Sequence, residues 1–272
     1  TNMMVLLSVF VNVFLQSAFT YLVVFYISGS GDDLEALKND FSAWRDQRAG
    51  DDVLVRVCET DYSFGSDFLQ TSMNDRLLGY LGGGEEYLGL AAPGAFLCLV
   101  VCSAWCLQVF AVVGEVIDEL RGVWYITYTT CKMMEIAVSQ EGFTLQRVPR
   151  HRSQWFAFAS VFQIIIATAL LVAGIRWLCS TTDIVELMLN GVALSYIMDL
   201  DELAYQVLVP TKMRTLIHMM DPLLAKWSMG FPVRSLSLSL PLCGVMIITA
   251  GVLSGIVFDV QEVQFALCRG FG

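Results

Sequence analysis

The chain has 272 residues, of which 56% are hydrophobic and only 15% charged, with a mean hydropathy of +0.62. Soluble domains carry about 25% charged residues, so this chain has too little polar surface to cover itself in water and needs lipid over part of it. A formal net charge of −10 speaks against nucleic acid, which selects basic faces; the expected partner is the lipid bilayer.

Residues 1–29 hold the first expected span. Met3 to Ser28 carries no charge and exceeds the roughly 20 residues a spanning helix needs; it is also too long for the h-region of a cleavable signal peptide. Asn12 and Gln16 lie one turn apart, which reads as interhelical hydrogen bonding rather than a pore lining. Residues 30–87 form an acidic extramembrane loop, with thirteen acidic and five basic side chains and a net charge of −8. Within it Leu34, Leu37, Phe41 and Trp44 recur at helical spacing and predict a short amphipathic helix over residues 32–48. Asp61 to Tyr80 reads as turns and irregular structure, and Gly82-Gly83-Gly84 as a flexible entry to the next span.

The second span covers residues 88–116, with Pro93 and Gly94 near its start, where a helix tolerates them. Cys98, Cys102 and Cys106 repeat every four residues on one face. They read as small residues that permit close helix packing rather than as a metal or redox stripe. Glu115 reaches the interface at the far end. Residues 117–153 make a basic loop in which Arg147, Arg150 and Arg152 directly precede the third span, 154–179, where the positive-inside rule has most weight. That loop is placed on the cytoplasmic side, with Tyr125 to Val138 expected as an interfacial helix. Arg176 and Trp177 mark the outer end of the third span, where Arg snorkels and Trp anchors.

Residues 183–209 are apolar enough to cross a membrane yet carry Asp183, Glu186, Asn190, Asp199, Asp201 and Glu202. Carboxylates are costly inside a bilayer, so this helix either spans with its acids paired or wetted, or lies at the interface. Next comes a basic loop, 210–235, with Lys212, Arg214, Lys226 and Arg234 against Asp221 alone. The last span is 236–258, with a G-x-x-x-G at Gly251 and Gly255, a weak packing signal, and a C-terminal tail follows at 259–272. The fold class is all-α, a polytopic helical membrane protein. Five spans follow if the acidic helix crosses; the alternative is four spans plus an interfacial or re-entrant acidic helix.

On a helix, Glu186, Asn190 and Asp201 share one stripe with Ala193 and Ile197, whereas Asp199 and Glu202 point elsewhere. Two readings follow. In one the stripe lines a cation route in which carboxylates replace water around the ion, which requires an oligomer or closely packed neighbouring helices. In the other the acids belong to an ion-pair network, Glu186 with Arg176 and Asp201 with Lys212. The function is accordingly a cation channel or transport subunit, with a non-catalytic accessory or scaffold subunit as the alternative. Either way the partners are further copies of the chain or other membrane subunits, and the plasma membrane is the favoured bilayer.

No catalytic residue, metal site or cofactor is expected. His151 and His218 are far apart in basic loops, and no G-x-S-x-G, Walker-type glycine loop or H-E-x-x-H occurs. Cys58 and Cys268 share the outer side under the five-span topology and can form a disulfide if that compartment is oxidising; Cys179 is a rival partner.

Several short motifs occur along the chain: R-V-C at Arg56–Cys58, G-Y-L-G at Gly79–Gly82, the W-x9-E of Trp105 and Glu115, G-I-R-W-L at Gly174–Leu178, and LNGVALSYIMDLDE from Leu189 to Glu202. In this order they resemble a large family of polytopic membrane proteins from dinoflagellates and related algae. They span residues 56–210, and the last is the most specific. The resemblance implies a multi-pass membrane protein with an outward Cys-containing loop, and it carries no activity over to named residues.

Overall fold

The computed structural model describes residues 2–23, 25, 33–48, 52–59, 67–82, 89–128, 133–138, 143–220 and 233–268. The fold is helical apart from one small sheet. In chain order come α1 (Asn2–Leu22), α2 (Asp33–Gln47), α3 (Asp52–Cys58), α4 (Phe68–Leu81), α5 (Pro93–Tyr125), the strands β1 (Thr127–Tyr128), β2 (Glu135–Val138) and β3 (Phe143–Pro149), then α6 (Arg150–Ser180), α7 (Ile184–Met198), α8 (Leu200–Leu208), α9 (Thr211–His218) and α10 (Val233–Cys268).

Three helices are long and apolar enough to cross a membrane: Pro93–Tyr125, Arg150–Ser180 and Leu238–Cys268. At 1.5 Å per residue α5 and α6 run about 50 and 46 Å, against a hydrocarbon core of roughly 30 Å. Each therefore extends beyond the limits read from hydropathy. α5 continues past residue 116 to Tyr125, and α6 takes in Arg150–Arg152 as its first turn. The expected tail at 259–272 is instead helical through Cys268. No proline or glycine stops it there, and Val260, Val263 and Leu267 prolong its buried stripe at i, i+3 and i+7.

Two shorter apolar helices accompany these, Phe10–Leu22 and Ile184–Met198. The acidic stretch 183–209 is not one regular helix. α7 has 15 residues, about 22 Å, and meets α8 at Asp199, where ψ opens to −2°. The hydrogen bonds from Asp199 N–H to Ser195 O (3.3 Å) and from Leu203 N–H to Asp199 O (3.2 Å) nevertheless continue across the turn. Aspartate is a poor helix-interior residue, because its short side chain competes for nearby backbone groups.

Two further expectations are corrected. Tyr125 to Val138 is not an interfacial helix: α5 stops at Tyr125 and strands follow, in the order β1-β3-β2, with β1 parallel and β2 antiparallel to β3. β-Branched Ile126, Thr127, Ile136 and Val138 favour the pleated surface. The stretch read as turns up to Tyr80 contains α4, closed by Gly82 in the left-handed conformation at φ 95° with its N–H on Leu78 O (2.7 Å). Its buried face, Thr71, Asn74, Leu77 and Tyr80, is half polar, so hydrophobic periodicity does not reveal it. Residues 61–66, Gly83 and Gly84 lie outside the described residues.

The chain forms two compact units. The first takes Thr1–Tyr21, Leu107–Val172 and Ser195–Cys243. Here Arg147 pairs with Glu135 across the sheet (3.5 Å) and stacks over Tyr128 (5.2 Å to the ring centroid). Gln108 Nε2 donates to Ser195 O (3.4 Å), and Arg214 donates to Gln206 O (3.2 Å).

The second unit takes Leu22–Cys106, Ala173–Leu194 and Gly244–Gly272. Glycines let its helices approach closely. A Cβ on Gly174 would meet Trp105 Nε1 at 2.5 Å, and one on Gly191 would meet Val101 Cγ1 at 2.7 Å. α6 and α7 are thereby held against α5, while Tyr80 of α4 covers Gly94. Three links tie the polar helices to the end of α10: an ion pair between Lys38 and Glu262, Arg45 Nη1 on Ala266 O (2.8 Å), and a Cys58–Cys268 disulfide.

Gly174→Val should lower stability by about 1–3 kcal/mol, the usual cost of overpacking a filled core. Thermal unfolding in detergent checks this; an unchanged midpoint would mean that α5 and α6 are not in contact at Trp105.

Candidate functional site

The chemistry-bearing residues of the second unit collect around the turn from α6 to α7. Asp183 opens α7 by accepting the backbone N–H of Val185 (2.8 Å) and Glu186 (3.1 Å) through Oδ1. This acid is a helix cap that satisfies otherwise orphaned donors. One turn on, Glu186 and Asn190 line a cavity of about 680 Å³. Met73, Arg76 and Leu77 of α4, Trp177 and Ser180–Thr182 from the end of α6, and Asp259 of α10 complete much of its wall.

The polar contacts in this wall are specific. Arg76 Nη2 donates to Thr182 Oγ1 (2.9 Å), and Asn190 Nδ2 donates to Thr181 Oγ1 (3.1 Å). Glu186 and Asp259 are exposed, and among the described residues neither has an ion-pair partner. The lining thus holds two carboxylates against one guanidinium. The expected Arg176–Glu186 pair does not form: both side chains are exposed and no bridge joins them. Arginine at a span end reaches for the interface rather than for a carboxylate already in contact with solvent.

The other candidate acids lie in the first unit or at span ends. Asp199 is exposed at the α7–α8 turn. Glu202 is exposed and accepts Gln206 Nε2 one turn along α8 (3.1 Å), and Glu115 is exposed on α5. Asp201 belongs to α8, but its side chain, and with it the proposed pair with Lys212, lies outside the described residues. Ile197, between Asn190 and Asp201 on the stripe, is buried.

Below the cavity wall sits a second cluster. Cys98 and Cys102 of α5 meet Cys179 of α6, with all three sulfurs within 4.8 Å of one another and all three residues buried. The Cys98 and Cys102 sulfurs are 4.0 Å apart, and the Cys98 thiol donates to Leu178 O (3.6 Å). Cys106, one turn further, is buried but outside the group. Tyr80 is wholly buried beside them, and its hydroxyl has no hydrogen-bond partner among the described residues. Burial, reinforced by the negative charge that Cys98, Cys179 and Cys102 would carry as thiolates, pushes the Tyr80 phenol well above its ordinary pKa and keeps it a proton donor. Cys179 is therefore not the partner of Cys58, which is bonded to Cys268; Cys131 lies outside the described residues.

Sequence periodicity marks Cys98 and Cys102 as sharing a face. It misses Cys179, Arg76, Thr182 and Asp259, which arrive from elements remote in the chain and carry no local signal. No family model, curated protein or solved structure matches this chain.

Alkylation of the native protein, followed by a second label in SDS and a third after reduction, reads this arrangement by mass spectrometry. Cys98, Cys102, Cys106 and Cys179 should take the SDS label, and Cys58 and Cys268 only the third. A peptide linking Cys179 to Cys58 or Cys268 would contradict the geometry.

Proposed function

We propose that the protein is a multi-pass integral membrane protein of transport type, in which the cavity lined by Glu186, Asn190 and Asp259 takes up a cation. The observation that carries this reading is the pair of carboxylates that, among the described residues, have no ion-pair partner and line a cavity whose one described guanidinium, that of Arg76, is engaged by Thr182. Carboxylates free of fixed partners can replace water around an ion. Three span-length apolar helices support placement in a bilayer, and the large exposed apolar side chains on them, such as Phe158, Ile165 and Ile248, suit contact with lipid.

The five-span topology belongs to this proposal, with α1 and the α7–α8 pair as the two further crossings and the basic residues Arg150 and Arg152 on the cytoplasmic side. The Cys58–Cys268 bond supports an outer compartment that is oxidising, and with it the plasma membrane. Membership of the algal membrane-protein family is likewise a proposal.

A second reading, an accessory or scaffold subunit of a membrane assembly, is favoured by one observation. Cβ atoms on Gly244, Gly251 and Gly255 would meet nothing within 4 Å, so α10 leaves a small-residue face for another helix or for lipid.

Uptake of rubidium and calcium into proteoliposomes separates the two. Flux above that of empty vesicles is expected. It should fall about tenfold in Glu186→Gln and in Asp259→Asn, on the scale of one lost charge-assisted contact. No flux from the wild type, together with a particle mass that drops in Gly251→Leu/Gly255→Leu, would replace transport by the scaffold role.

A further inference from the structure

Three cysteines from two helices converge in an apolar interior. Their spacing is that of ligands. Three sulfurs bound at about 2.3 Å to one ion in a trigonal plane lie about 4.0 Å apart, and Cys98 and Cys102 stand at 4.0 Å with Cys179 inside the same 4.8 Å limit. The i, i+4 spacing directs Cys98 and Cys102 to one face of α5, and the contact of Gly174 with Trp105 brings α6 close enough for Cys179 to face them.

We propose that Cys98, Cys102 and Cys179 form a binding site for a soft monovalent metal ion, of which Cu(I) is the physiological type. The choice of metal follows from the donors. Among the described residues no histidine or carboxylate joins the group. Structural zinc almost always takes four ligands, and calcium and magnesium take oxygen. Thiolates select soft ions, and a monovalent d10 ion is satisfied by three sulfurs.

Binding displaces three thiol protons to solvent and forms three metal–thiolate bonds, from Cys98, Cys102 and Cys179; Cys98 gives up its S–H bond to Leu178 O. The complex of three thiolates with one monovalent ion carries a net charge of −2. No electron changes hands, because the ion enters as Cu(I). From Cys179 the chain passes directly into the cavity wall at Ser180–Thr182, which Met73 also lines. The site stands apart from the proposed uptake of other cations by the cavity carboxylates.

The test uses the full chain in detergent under anaerobic conditions, with Cu(I) supplied in the presence of ascorbate, which leaves the Cys58–Cys268 bond intact. The wild type should retain one copper per chain after desalting, with three sulfur neighbours at about 2.3 Å by X-ray absorption. Cys102→Ser and Cys179→Ser should lose at least about tenfold in affinity against bicinchoninate, about 1.4 kcal/mol. Cys106→Ser, Cys243→Ser and Glu186→Gln should bind as the wild type does, and the last keeps this proposal separate from the cavity's role in flux. Should a cysteine variant fail to assemble, the wild type decides alone, by its copper stoichiometry and its sulfur coordination number. Substoichiometric copper, fewer than three sulfur neighbours, or binding that survives in the Cys98→Ser/Cys102→Ser/Cys179→Ser variant would each overturn the site.

Discussion

The second unit depends on how closely α5 can be approached by its neighbours. Gly174 gives α6 room beside Trp105, and Gly191 gives α7 room beside Val101. Backbones that approach this closely gain dispersion contacts at these points, the main source of helix association where lipid removes the hydrophobic driving force. Both candidate sites follow from that approach. It turns Cys179 toward Cys98 and Cys102, and it places the α6–α7 turn so that Thr181 and Thr182 can receive Asn190 and Arg76.

Some polar groups in this unit find partners within it. Asn74 donates to Val57 O at 3.3 Å, and the threonines and serines of the long helices return their hydroxyls to carbonyls of the preceding turn, as Ser103 does to Leu99 O (2.6 Å) and Thr249 to Val245 O (2.9 Å). A buried donor left without a partner loses the solvation it had in water. The Tyr80 hydroxyl, wholly buried beside three thiols, has no partner among the described residues, and the same holds for Gln70 Oε1, Asn74 Oδ1 and Trp105 Nε1.

The end of α10 is fixed by a different kind of restraint. An ion pair, a hydrogen bond to a terminal carbonyl and a disulfide connect it to α2 and α3. Exposed ion pairs add little by themselves, whereas a cross-link between residues 210 apart in sequence removes much of the freedom of the unfolded chain. Asp259 lies three residues before Glu262 on this anchored helix, and the anchoring keeps its carboxylate on the cavity wall.

The acids of the α7–α8 stretch, similar in sequence, take separate roles because each meets a different backbone environment. Asp183 caps, Glu186 faces the cavity, Asp199 sits at the turn, and Glu202 bonds within its own helix. Sequence alone determined what depends on local composition and period. Long uncharged runs make span-length helices, and apolar residues at helical spacing set the inward face of α2, because both effects act within a few turns of chain. It could not limit α10 at its true end or find the strands after Tyr125, since a polar helix with a half-buried stripe and a short strand both look like loop by hydropathy. Only the tertiary structure decided which acids face a cavity, that Cys58 joins Cys268, and that Cys179 completes a three-sulfur cluster. Those pairings set residues roughly 80 to 210 positions apart side by side, and they arise from packing between helices remote in the chain, which no local pattern encodes.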